Sequence, residues 1–438
     1  MEAAFDRLYS EGYITRKHGS GTRVSAAIPD SFQPSSARDA LAPKVGMESK
    51  EAERSQTPTA RDPYALHAGI PFVARLPAPD LLDGSHWRKH ATNAVKNDPA
   101  ADLSLTPLQG FEPLRQQIAI YLGTFRGLAC RAEEIFITAG IRHAIDAVAR
   151  LVLSATSKVA VEDPGYVAAR RIFELAGAKP VDIPIDEDGM RIGDLAKHDD
   201  ISLVYVTPAH QSPLGMTMSI DRRSELLEWS RANEAWIIED DYDGEFSYQT
   251  APLPALKSDD RHDRVIYCSS FNKTVFTGLR VGFMVVPTAL QPKMLSFWHT
   301  VGAPVSVTEQ RALASFMASG DFFNHLHRSR QAYRQRRDAV LRELERHARG
   351  KVEIVGDHAG FHFVMRLRPG TDEQELVNEA AAVGVTLQSL RSFCRATDFG
   401  PAFVIGYSAL SLAQARYFGK KLGLILGRLA QPFTGDST

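Results

Sequence analysis

The chain has 438 residues, 44% of them hydrophobic and 24% charged, which is enough apolar material for a large core and more than one domain. Lys plus Arg number 51 and Asp plus Glu 52, so the overall balance excludes a polyelectrolyte that binds nucleic acid or membrane through net charge, and any such contact must be local. Cys130, Cys268 and Cys394 are odd in number and widely spaced, which excludes a disulfide framework or a cysteine metal cage; with no signal-length or spanning apolar run, the expected compartment is the cytoplasm.

In chain order, residues 1–27 read as a short helix and a basic hairpin. Phe5, Leu8 and Tyr9 fall at helical spacing, and Gly12 stops the helix. Tyr13 to Arg16 and Thr22 to Ser25 flank a glycine turn. Arg16, Lys17, His18 and Arg23 give this hairpin local positive charge suited to phosphates. Residues 28–63, with prolines at 29, 34, 43, 58 and 63 and no apolar period, are expected to be a flexible connector.

From Tyr64 the pattern alternates strands and helices. Ile135 to Thr138, Val159 to Val161, Leu203 to Val206, Trp236 to Ile238, Val265 to Tyr267 and Gly282 to Val286 are short continuous apolar runs. Runs without alternation predict strands covered on both faces, hence a mostly parallel sheet between helices. A long helix is expected over 321–347, and Val352 to Val355, Gly360 to Arg366 and Phe403 to Tyr407 read as strands of a smaller α+β unit. The expected division is a domain over 64–430, its large part about 105–320 and its small part 64–104 plus 321–430.

In open α/β sheets ligands bind at the carboxyl ends of strands, where Thr138, Asp163, Thr207, Asp240 and Lys273 all fall. Lys273 follows Ser269-Ser270-Phe271-Asn272, seven residues before Arg280 and thirty-three after Asp240. A lysine amine forms an imine with an aldehyde, a buried carboxylate keeps a pyridine nitrogen protonated, and arginine and serine bind phosphate: together these groups suit pyridoxal phosphate (PLP). With a strand period of two, Asp240 and Tyr242 share one face while Glu239 and Asp241 point away. Gly140 and Ile141 open a helix whose free amides suit the phosphate, Tyr166 is placed to lie on the ring, and His210 or Gln211 to reach the phenolic oxygen. Singly, each has an ordinary structural reading: a surface lysine, a capping acid, a core aromatic, a turn-stabilising polar group.

Glu162-Asp163-Pro164-Gly165-Tyr166, the Thr-Pro-x-His-Gln segment from Thr207, Glu239-Asp240-Asp241-Tyr242-Asp243 and Ser270-Phe271-Asn272-Lys273 resemble the class I and II aminotransferases of PLP fold type I, and more narrowly the MocR branch of the GntR regulators. Ala4 to Ile14 and Gly19 to Val24 are similar to the end of the recognition helix and the wing of a GntR winged helix. The resemblance implies an α/β fold with a mostly parallel sheet of the seven-stranded type, a small C-terminal α+β domain, and a domain-swapped homodimer. It makes Lys273 the imine lysine, Asp240 the partner of the pyridinium nitrogen, Tyr242 a donor to the phenolic oxygen and Tyr166 the stacking ring. Ser270, Arg280 and the amides of Gly140 and Ile141 hold the phosphate.

Three departures follow. The winged helix lacks its first two helices, so DNA binding is expected only if they are completed upstream. Val404 stands where the family has a carboxylate-binding arginine, which argues against ordinary α-amino acid transamination unless Arg391 or Arg395 substitutes. Leu105 replaces a tyrosine that reaches the partner's phosphate. The expected function is a PLP-binding transcription regulator, or its eroded descendant, that senses an amino compound through an imine with the cofactor; the alternatives are a PLP-dependent aminotransferase or related PLP enzyme acting on an amino acid or amine, and an α/β binding protein without PLP.

Overall fold

The computed structural model describes residues 5–6, 8–9, 13–17, 21–25, 71–74, 76–78, 80–96, 107–248 and 253–431. The connector expected over 28–63, together with His18, Leu105 and the side chain of Lys17, lies outside the described residues. The chain divides into two compact units, residues 1–60 and 61–438.

In the first unit, residues 5–6 and 8–9 are helical, and β1 (Ile14–Lys17) pairs antiparallel with β2 (Gly21–Val24), Ile14 opposite Val24. The Tyr13 amide donates to the Leu8 carbonyl at 2.9 Å, joining helix to hairpin. Gly21 has φ +79°, the left-handed conformation that glycine takes without steric cost. Arg16 pairs with Asp6 at 2.7 Å, and its guanidinium lies 5.5 Å from the centroid of the Tyr9 ring.

The second unit is organised by a sheet of eight strands: β3 (Ile135–Thr138), β4 (Lys158–Asp163), β5 (Lys179–Asp186), β6 (Gly189–Met190), β7 (Ile201–Val206), β8 (Trp236–Asp240), β9 (Val265–Ser270) and β10 (Gly282–Val285). Their spatial order is β3-β10-β9-β8-β7-β4-β5-β6. The pairs from β9 through β8, β7 and β4 to β5 are parallel, while β10 runs against both neighbours and β6 folds back on β5. The central strands are buried along almost their whole length because helices cover both faces, which is why their sequences are continuous apolar runs. β5 differs: Lys179-Pro180-Val181-Asp182-Ile183-Pro184 is half-buried near the sheet edge, where proline and charge are tolerated.

The helices in this half of the unit are α1 (Gly84–Lys96), α2 (Glu112–Arg126), α3 (Ile141–Val152), α4 (Val167–Leu175), α5 (Ile192–Leu195), α6 (Ile220–Ala232), α7 (Gln291–Val301) and α8 (Val307–Ala318). α1 packs on α8 through His90, whose ring nitrogens lie 2.7 Å from Ser315 Oγ and 3.0 Å from Asp321 Oδ2.

α9 (Asp321–Ala348) has 28 residues and so spans roughly 42 Å. Its first turns carry Phe322 and Leu326 into the aromatic core around Phe271 and Phe316, and its last turns pack on α11. There Gly419 and Gly423 of α11 (Leu412–Leu429) let the two backbones approach; a Cβ at Gly423 would lie 2.9 Å from the Glu343 carbonyl. β11 (Val352–Val355), β12 (His362–Leu367), β13 (Gln388–Ser389) and β14 (Ala402–Gly406) form an antiparallel sheet in the order β11-β12-β14-β13, with α10 (Glu373–Ala382) between β12 and β13. Phe72 bridges to Gly406 at its margin.

No helix among the described residues is long and apolar enough to cross a membrane.

Candidate functional site

Strand register brings the sequence-predicted groups to one end of the large sheet. Gly282 pairs with Thr138 on one side and Ser270 on the other, so the carboxyl ends of β3 and β9 lie level with the start of β10. Asp240, the last residue of β8, pairs with Cys268 and therefore sits two residues, about 7 Å, below the level of Ser270.

At the upper level, Gly140 caps α3 with φ +91°, and a Cβ there would stand 2.8 Å from Asn272 Nδ2 and 3.7 Å from the Arg280 guanidinium carbon. Gly282 has no side chain either; a Cβ on it would meet Gly140 Cα at 2.8 Å. Arg280 is itself in the left-handed region at φ +54°, and its Nη2 donates to the Ala139 carbonyl at 2.9 Å. The result is a backbone cradle lined by the first amides of α3, a guanidinium, the buried Ser270 hydroxyl and Asn272. Asn272 is buried, and its Oδ1 has no hydrogen-bond partner among the described residues. Helix amides, their dipole and an arginine are the kinds of group that suit a phosphate.

Lys273 lies half-buried in the turn after β9, closed by the Val275 amide donating to Phe271 O at 2.8 Å. His325 of α9 lies 2.8 Å from the carbonyl of Thr274, which fixes the backbone next to that lysine.

At the lower level, Asp240 is 1% exposed and accepts a hydrogen bond from the Tyr205 hydroxyl at 2.5 Å. Its neighbours turn the other way, as the period of two requires. Glu239 accepts from the amides of Leu256 and Lys257 at 2.7 and 2.9 Å; Asp241 takes Arg126 Nε at 2.5 Å and the Tyr267 hydroxyl at 2.7 Å. Burial pushes Glu239 up to about 7, whereas Arg126 is held firmly charged by Asp241 despite its burial.

Glu162, near the end of β4 and separated from β8 by β7, accepts from Thr207 Oγ1 at 2.7 Å and from Gln211 Nε2 at 3.3 Å. Burial pushes its carboxyl up to about 7, and the charge on Asp240 adds to the rise. Gln211 is further occupied by Pro164 O, Ser212 O and the Leu214 amide, so it braces the loop. His210 is buried against Asp243 at 2.8 Å and Tyr242 at 3.1 Å. Tyr166 is buried at the start of α4, its hydroxyl accepting from Arg142 Nε at 3.0 Å. Asp163 accepts from the amides of Arg395, Ala396 and Thr397 at 2.8, 2.8 and 2.9 Å, which clips the loop before β14 onto the end of β4.

Val404 is fully buried between Val364 and Gln388 in an apolar cluster with Phe393 and Leu390. Arg391 and Arg395, by contrast, are exposed, Arg391 lying 3.8 Å from Asp398. Tyr205, Glu162 and Asp243 were not singled out from sequence. A polar-tipped aromatic within the otherwise apolar Leu203 to Val206 is the one local signal that marks Tyr205.

Residues 81–398 match the profile of the family described as Aminotransferase class I and II. The chain belongs to that family. Within it, it is 32% identical to the HTH-type transcriptional regulator YdeL of Bacillus subtilis over 96% of this chain and 87% of that one. It is 31% identical to the probable rhizopine catabolism regulatory protein MocR of Rhizobium meliloti, over 93% and 81%. These similarities place the chain with the MocR-type regulators of the GntR family. Among solved structures, the alpha-aminoadipate aminotransferase LysN of Thermus thermophilus, complexed with N-(5'-phosphopyridoxyl)-L-leucine, superposes with a TM-score of 0.75 at 28% identity, over 87% of this chain and 97% of that one. The aminotransferase-family unit is a fold type I domain, and its cofactor is pyridoxal phosphate.

Proposed function

We propose that this protein is a MocR-type transcription regulator whose aminotransferase-family unit binds pyridoxal phosphate and, through it, an amino compound. The observation that carries this reading is the convergence of Lys273, Asp240 and the Gly140–Arg280 cradle at one end of the sheet, in a chain that also carries a helix and basic hairpin resembling part of a winged helix.

When bound, the cofactor supplies an aldehyde that condenses with primary amines and a ring that withdraws electrons from the attached carbon. In this reading the cradle of Gly140, Ile141, Ser270 and Arg280 fixes the phosphate, while Lys273 offers its Nζ to the aldehyde. Asp240, whose Oδ2 accepts from the Tyr205 hydroxyl, is the carboxylate that would face the ring nitrogen and hold a proton there. Tyr166 covers the ring, and the Tyr242 hydroxyl serves the phenolic oxygen. Buried Val404 offers no charge to an α-carboxylate, so the ligand class includes amines whose anionic group, if any, lies away from the reacting amine. The family resemblance supports a homodimer in which each site is completed by its partner, and in this reading Arg16, Lys17, His18 and Arg23 are the residues assigned to DNA phosphates.

Purified protein incubated with PLP should absorb in the visible, and borohydride should fix the cofactor on the peptide that contains Lys273. Amines that alter this absorption should also alter binding of the protein to DNA from its own promoter region. Failure of borohydride to label Lys273 removes the cofactor reading; labelling with no promoter binding under any amine removes the regulator reading. Sustained turnover of an amine with a keto acid would assign an aminotransferase instead.

A further inference from the structure

The part of the site that carries Tyr242 is built around a buried imidazole. His210 is 1% exposed, and its Nδ1 lies 2.8 Å from Asp243 Oδ2 and 3.1 Å from the Tyr242 hydroxyl. An ionised carboxylate only accepts hydrogen bonds, so Nδ1 carries a proton, while Nε2 lies at the longer distance of 3.5 Å from the Gly356 carbonyl. Facing an N–H, the hydroxyl oxygen of Tyr242 can only accept, and its own hydrogen is turned away from His210. Asp243 is also 1% exposed, and its Oδ1 has no hydrogen-bond partner among the described residues, which makes the imidazole its principal polar contact.

The loop between β11 and β12 closes over this group. A Cβ on Gly360 would stand 2.3 Å from His210 Cε1 and 2.4 Å from Asp243 Oδ2, and one on Gly215 would lie 2.9 Å from His210 Nε2. Backbone hydrogen bonds lock the closure: Gly360 N to Phe246 O at 2.8 Å and Tyr248 N to His358 O at 2.9 Å. The rings of His358 and His362 stand 5.9 and 5.5 Å from that of His210, and burial together with His210 holds His358 below its ordinary range. The His210 ring is thus packed against glycine backbone at 360 and 215 and against two further imidazoles.

We propose that Asp243 is a positioning residue of the cofactor site: by fixing the Nδ1–H form of His210 it directs the Tyr242 hydroxyl hydrogen outward, toward the phenolic oxygen of bound PLP. This rests on the reading that places Tyr242 against the cofactor. A purely structural role for the Asp243–His210 pair predicts a loss of stability that is indifferent to whether Tyr242 has a hydroxyl. A positioning role predicts that the two substitutions report one and the same loss.

The test is a double-mutant cycle on the full-length protein, reading the visible absorption maximum of the PLP-loaded form and the dissociation constant for PLP. Tyr242→Phe and Asp243→Ala should each move the maximum in the same sense and weaken binding about tenfold, the size of one hydrogen bond to a charged group. The double variant should be no weaker than Tyr242→Phe alone. The proposal is overturned if Asp243→Ala adds its full effect on top of Tyr242→Phe, or if it leaves the maximum in place while Tyr242→Phe moves it. If Tyr242→Phe itself changes neither quantity, the contact between Tyr242 and the cofactor fails and the positioning role falls with it. Should circular dichroism show that the alanine variant does not fold, Asp243→Asn, which keeps the volume and removes the charge, is judged by the same cycle.

Discussion

Glu162 and Arg126 are both buried beneath the site, and their surroundings give them opposite charge behaviour. Glu162 receives only neutral donors, so burial raises its folded value to about 7 from the ordinary 4.5. For an acid raised in this way, the favourable term is complete below about 4.5 and is lost as the pH climbs through about 7. Glu162→Gln keeps the oxygen that accepts from Thr207 and removes the ionisation. The variant should gain melting temperature relative to the parent at pH 8 and gain little at pH 5; an equal difference at both pH values would show that Glu162 does not titrate in this range. Arg126 has a full counter-charge in Asp241 and stays ionised. Arg126→Met leaves that carboxylate buried without its cation, and urea unfolding should report a loss of about 3–5 kcal/mol. A loss below about 1 kcal/mol, the range of an exposed pair, would mean that Asp241 is satisfied without Arg126.

The local motifs around Lys273 and Asp240 were legible because each lies at the end of an apolar strand, in a short segment of recognisable composition. Tyr205 and Asp243 were not, because their partners Asp240 and His210 lie 35 and 33 residues away and meet only through the sheet and its loops. At the scale of elements the same contrast holds. The runs that became β3, β4, β7, β8, β9 and β10 were readable because both their faces are covered, and the long helix was expected over 321–347 and is found as Asp321–Ala348. β5 escaped notice because its prolines and charges sit on half-buried positions at the sheet margin, where tertiary pairing outweighs local propensity. The junction of β3 and α3 shows what element packing adds to a turn. Gly140 combines a left-handed φ with contact to Asn272 and the approach of β10. Gly140→Ala should cost stability by local backbone strain, about 1–3 kcal/mol, and by the contact of its Cβ with Asn272 Nδ2 at 2.8 Å, and it would narrow the space in which the phosphate would sit. PLP titration should show binding weakened by about tenfold or more, since one tenfold step corresponds to a single lost interaction of about 1.4 kcal/mol. Unchanged affinity would place the phosphate elsewhere.

For the molecule as a whole, a near-zero net charge means that DNA cannot be gathered by a general positive field; attraction must be local, and the proposed reading assigns it to the cations of the hairpin. Those cations are not equivalent. Arg16 already faces Asp6 at 2.7 Å and lies against the Tyr9 ring, so contact with a phosphate must displace an existing partner. Arg23 stands exposed on β2, opposite Thr15 in the hairpin register. Each arginine that neutralises a phosphate on binding releases condensed counterions and adds about 0.9 to the slope of log affinity against log salt. Arg23→Ala in the full-length protein should therefore lower that slope by about 0.9 on promoter DNA. Arg16→Ala should lower it by less, because the free state retains an ion pair that binding must break. Equal effects of the two substitutions would show that the Arg16–Asp6 pair has no influence on binding, and a slope untouched by either would place the DNA contact outside this hairpin.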